Sequence, residues 1–201
     1  MRGPQDALYD LMDCPERVHH YVDQIENNYF TYYDALCDIL RDDQGVTSYT
    51  AFGILGRGRV AKVQCDFSAM ISPATFREYV KPALEKQTAR LDHSLYHLDG
   101  PDAVRHVPAL MEIKHLDALQ FTCGAGQPDG SCKRWYEIYD QVAAADKGLW
   151  LQLYDGNVHD WIRGAEELMN RYDKKRIYFH FDTMSMADAE LLMNHACKHW
   201  E

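Results

Sequence analysis

Two short runs carry the same pair of chemically active side chains: His97-Leu98-Asp99 and His180-Phe181-Asp182. Alternate residues of an extended chain point to one side, so each run can aim an imidazole and a carboxylate at one spot. Such a pair can take up a divalent cation, or the carboxylate can orient the imidazole and raise its basicity for proton transfer. With 10 His and 31 Asp and Glu in 201 residues, pairs at this spacing also arise by chance. The competing reading of the first pair is structural, with Asp99 capping a helix that begins at Pro101.

Other polar residues stand after apolar runs. Asp66 follows Cys65 and is a candidate to polarise or position a substrate. Cys123 is a candidate thiolate ligand, the competing reading being a small buried residue. Gly124 and Gly126, in Cys123-Gly124-Ala125-Gly126-Gln127, are candidate cofactor-binding positions, because glycine lets backbone come close to a ligand or adopt unusual dihedrals. A plain turn needs the same residues. The stretch Gly56-Arg57-Gly58-Arg59-Val60-Ala61 mimics part of a dinucleotide fingerprint, yet it precedes a strand instead of joining strand to helix, so it fails the context that motif requires.

These residues need elements to hold them. Apolar residues Val18, Val22, Ile25, Tyr29, Tyr32, Leu36 and Leu40 recur at helical spacing behind Cys14-Pro15, which predicts a long leading helix over 15–41. Strand-like runs follow at 59–66, 94–98, 117–122, 149–154 and 176–181, each leading through polar or glycine residues into a helical segment. Ser72-Pro73, Gly100-Pro101, Asn157 and Ser185 mark helix starts, and Pro82 predicts a kink. Repeated strand, loop and helix implies parallel strands joined by crossover helices. In such folds ligands sit at the carboxyl ends of strands, which is where the candidate residues stand. Eight such units make a TIM barrel of roughly 250 residues, so the expectation is part of a barrel, with an open α/β sheet as the alternative. The whole chain, 1–201, reads as one domain.

Composition narrows the partners. The net charge is -10 and no long basic block occurs, which argues against nucleic acid and anionic membrane, both held by clustered positive charge. No apolar run reaches the roughly 18 residues that span a bilayer, and the N-terminus lacks the apolar core of a signal peptide. A cytoplasmic location is therefore expected. The six cysteines form no CxxC pair and are expected to be free thiols.

In order along the chain, "VQCDFSAMISPATFREYVKPAL", "LYHLDG", "LDALQFT", "GLWLQLYDGN" and "DAELLMNHACKHW" resemble the C-terminal portion of the uroporphyrinogen decarboxylase superfamily, which also contains the zinc-dependent corrinoid methyltransferases. The resemblance implies a (β/α)8 barrel whose N-terminal units are missing from this chain. Two exposed sheet edges would then invite a partner, either a second copy or a complementing N-terminal chain.

For mechanism the resemblance divides. Methyltransferase members hold zinc with a His-x-Cys after strand five and a further Cys near strand eight. His97 matches that His, but Asp99 stands where the Cys would be. The implied metal set is thus His97 and Asp99, with a third group among Cys123, His180 and Asp182. Asp99-Gly100 instead matches the decarboxylases, where Asp66, Asp99 and His180 would do proton work without metal. Their Arg-rich N-terminal motif and pyrrole-binding Asp have no counterpart here. Methyl transfer linked to corrinoid metabolism is the first expectation, a lyase acting on a tetrapyrrole the second, and a non-catalytic remnant or subunit the third.

Overall fold

The computed structural model describes residues 3–48 and 52–200. Helices α1 (Pro4–Asp13) and α2 (Pro15–Leu40) lead the chain, followed by a two-residue antiparallel ribbon, β1 (Val46–Thr47) and β2 (Gly56–Arg57). Five parallel strands then alternate with helical connections: β3 (Val60–Gln64), β4 (His93–Asp99), β5 (Ala118–Thr122), β6 (Gly148–Leu153) and β7 (Ile177–Phe181). All five strands coincide with the expected runs to within two residues at either end. The leading helix also matches, whereas α1 has no counterpart among the expected elements.

A 3-10 turn (Asp66–Met70), α3 (Pro73–Thr75), a π turn (Phe76–Val80) and α4 (Lys81–Thr88) join β3 to β4. The π turn has a local cause. Pro82 has no N–H to give to the carbonyl four residues back, and the helix widens before it, with Lys81 N bonding to Phe76 O. A second 3-10 turn (Pro101–His106) with α5 (Val107–Met111), then α6 (Tyr136–Ala144) and α7 (Val158–Arg171), make the later crossovers, and α8 (Met186–His199) closes the chain. The caps fall as expected: the Ser72 hydroxyl accepts from Thr75 N, Asn157 and Asp160 form a reciprocal capping box, and Ser185 accepts from Asp188 N.

The strand order is that of the sequence, β3-β4-β5-β6-β7, with no reversal. Right-handed crossovers between sequential parallel neighbours put every connecting helix on one face. Burial agrees: Val63, Tyr96, Leu98, Leu119, Phe121, Leu149, Leu151 and Leu153 form one core with residues of α5, α6 and α7. Each large side chain so buried contributes about 1.5–3 kcal/mol. The opposite face carries the alternate residues, among them Lys62, Gln64, His97, Asp99, Gln120, Thr122, Trp150, Gln152, Tyr178 and His180, and the segment around Phe52–Gly56 lies against it.

The sheet ends at β3 and β7 among the described residues. Helix α2 partly protects the first edge. Its Phe30, Tyr33 and Cys37 are buried against Ala61, and Tyr33 Oη donates at 2.9 Å to the Val60 carbonyl that β3 turns away from β4. No helix among the described residues is long and apolar enough to cross a membrane.

Candidate functional site

The register sets the site. Gln64 on β3, His97 on β4 and Gln120 on β5 are direct neighbours in one row across the sheet, and Asp99 pairs with Thr122 one pleat nearer the carboxyl ends. Asp66 opens the turn that leaves β3, so it arrives beside the end of β4. One ligand atom from each of Asp66, His97 and Asp99 lies within 4.8 Å of the others, with both carboxylates exposed and the imidazole half-buried.

Asp99 is free for this role because it does not serve the next helical turn. That turn begins at Gly100, whose φ of 81° breaks the strand, and its start has no side-chain cap. The structural alternative for Asp99 is therefore not what the backbone does.

Polar neighbours hold the other two ligands. Gln64 Nε2 donates to Asp66 Oδ2 at 2.8 Å, and Lys62 Nζ donates to Gln64 Oε1. Gln120, 1% exposed, gives its Nε2 to Thr122 Oγ1 at 3.1 Å and turns its Oε1 to His97 Nδ1. Phe52 packs over His97 with ring centroids 5.1 Å apart. Beyond it Trp150 stacks on His180 at 5.0 Å and on Tyr178 at 5.8 Å.

The remaining predicted residues lie elsewhere. Cys123 follows β5 on the side of Leu119 and Phe121 and is buried in the core, where loss of water pushes its thiol up to about 12, with the charges of Asp129 and Asp155 adding to the shift. It is not among the ligands that converge on Asp66, His97 and Asp99. His180 is exposed on β7, three strands from His97, and it stands outside that group, as does Asp182. The Asp182 carboxylate accepts from Thr183 N at 2.7 Å.

Gly124 and Gly126 both have positive φ, 94° and 72°. Gln127 N bonds to Gly124 O at 3.2 Å, and a Cβ on Gly124 would come within 3.2 Å of Pro101. Turn geometry accounts for both glycines. A residue that sequence reading passed over organises this loop: Asp129, 2% exposed, accepts from the Ser131 and Tyr154 backbone N–H groups at 2.9 Å each, from Asp155 N at 3.0 Å and from Ser131 Oγ at 2.6 Å.

An imidazole and two carboxylates on one open rim form an oxygen- and nitrogen-donor set without thiolate. Such a set suits a divalent ion of borderline to hard character. Without an ion, the same three groups can pass protons to and from a bound substrate. No family model, curated protein or solved structure matches the chain.

Proposed function

We propose that the chain is a partial (β/α) barrel of the uroporphyrinogen decarboxylase superfamily that carries out methyl transfer linked to corrinoid metabolism, with a divalent metal held by Asp66, His97 and Asp99. The observation that supports this reading is the convergence of those three ligand atoms within 4.8 Å at the carboxyl ends of β3 and β4. The donor set fits a divalent cation and departs from the family's zinc site in having no thiolate, so zinc competes with other divalent ions for it. A bound ion would supply Lewis acidity, lowering the pKa of the group that accepts the methyl. The protein's own residues shape the site where that acceptor would bind: Gln120 and Gln64 orient the ligands, Phe52 shields one side of the imidazole, and Thr122 and Gln152 line the adjoining rim. Among the described residues β7 has no strand beyond it, and its edge is where a second chain would continue the sheet, the β3 edge being partly covered by α2.

Metal content of protein purified without chelator tests the reading. About one equivalent in the parent, lost in His97→Ala and Asp66→Asn, supports it. A content near zero in the parent after incubation with Zn2+ or Mn2+ and desalting removes it.

The lyase reading is favoured by one observation: His180 is exposed on the same face as Asp66 and Asp99, stacked on Trp150. It requires decarboxylation of a uroporphyrinogen-type substrate that Asp99→Asn abolishes. Absence of both metal and turnover leaves the non-catalytic subunit.

A further inference from the structure

We infer that Gln120 and Gln64 are positioning residues that dedicate one donor atom each of His97 and Asp66 to the shared point between them and Asp99. This inference rests on the metal reading above and adds to it which atoms bind and what makes them available.

A neutral imidazole has one nitrogen that donates and one that accepts. Gln120 has its amide nitrogen committed to Thr122 Oγ1, so the oxygen faces His97 Nδ1. A carbonyl oxygen accepts only, so this contact holds when Nδ1 carries the hydrogen. The lone pair is then on Nε2. Metal-bound histidines are oriented in this way, the second ring nitrogen donating to an oxygen that fixes tautomer and ring plane.

Gln64 repeats the arrangement on the next strand. The Lys62 ammonium can only donate, so it selects the Gln64 oxygen. The amide nitrogen is thereby turned to Asp66 Oδ2 and leaves Oδ1 for a ligand. The two glutamines flank His97 in one row across three strands, so the pleat delivers both supports together. Gln120 is 1% exposed, and a buried amide needs its bonds satisfied. Its partners are therefore part of how the site is held and not incidental surface contacts.

Two measurements on the full chain test this. Long-range 1H–15N spectra of the metal-free protein at pH 8 read the His97 tautomer, expected as Nδ1–H in the parent and shifted toward Nε2–H in Gln120→Leu. Competition against a chromophoric chelator reads Zn2+ and Mn2+ affinity. Gln120→Leu and Gln64→Leu are expected to lose ~10- to 100-fold. Gln120→Glu, which keeps an acceptor oxygen beside Nδ1, stays close to the parent. Far-UV circular dichroism of each variant confirms that it is folded. An Nε2–H tautomer in the parent, or a folded Gln120→Leu binding within twofold of the parent, overturns the inference while the metal reading stands. A parent that binds neither ion overturns both.

Discussion

The Trp150 indole nitrogen donates to the Phe52 carbonyl oxygen at 3.1 Å, across 98 positions of sequence. This bond fastens the segment before β3 onto the polar sheet face, and Phe52 in turn meets Trp150 edge to face and packs against His97. Trp150→Phe keeps an aromatic stack but removes that hydrogen bond. Urea unfolding should show a loss of about 1–2 kcal/mol, and the His97 ring resonances should move although the substitution is two strands away.

The buried Asp129 carboxylate accepts four hydrogen bonds, two from Ser131 in its own loop after β5 and two from Tyr154 and Asp155 that join it to the loop after β6. Asp129→Ala strands three backbone N–H donors. Its cost should be on the order of 3 kcal/mol, read as a lower urea midpoint with an unchanged slope.

His106 is fully buried, stacked on Phe76 at 4.4 Å, with Nε2 at 2.8 Å from the Ser68 carbonyl oxygen and Nδ1 without a partner. Nε2 is therefore the protonated nitrogen, and a second proton on Nδ1 would find no acceptor. Burial, the largest cause, lowers its pKa below the ordinary histidine value, with the charge of Arg105 acting the same way. The unfolded chain thus binds more protons than the native one as pH falls below about 6.5, so stability is full above that value and declines toward the native pKa. His106→Gln keeps a donor for Ser68 and does not titrate. The difference in thermal midpoint between pH 7.5 and pH 5.5 should be smaller in this variant than in the parent.

Thiol reactivity should follow burial. Cys197 is exposed, whereas Cys37 and Cys123 are buried and burial raises the Cys123 thiol toward the neutral form. With an aromatic disulfide reagent at pH 8, Cys197 should react first. Cys123 and Cys37 should react only after denaturant is added, as peptide mapping would show.

The strands were legible because β-branched and aromatic runs end sharply in polar and glycine residues, and Asn157, Ser72 and Ser185 announced their helices. Helix α1, "PQDALYDLMD", is only ten residues long, yet its Ala7, Leu8, Leu11 and Met12 recur at helical spacing behind Pro4, a signal that was there to be read. The site was legible in part. His97 and Asp99 share one strand, so their spacing alone places them together. Asp66 joins them through the β3–β4 register, which single-strand periodicity does not contain. Cys123 could have been set aside from the sequence: in Leu119-Gln120-Phe121-Thr122-Cys123 the alternation puts it with the apolar residues. The same alternation marks Gln120 and Thr122 as the polar side of that strand.

A sheet laid down in chain order also has a kinetic meaning. Each of the five strands pairs only with the strand before it and the strand after it, so every ladder closes over a single strand-helix unit. Closure entropy grows with loop length, so each of these ladders costs less to close than a pairing between distant ends of the chain, although parallel pairing still forms more slowly than helical contacts. Folding can advance by addition, each arriving strand meeting a template already formed. The direction of synthesis is then also a workable direction of assembly, and no strand has to wait for a partner from the far end of the chain.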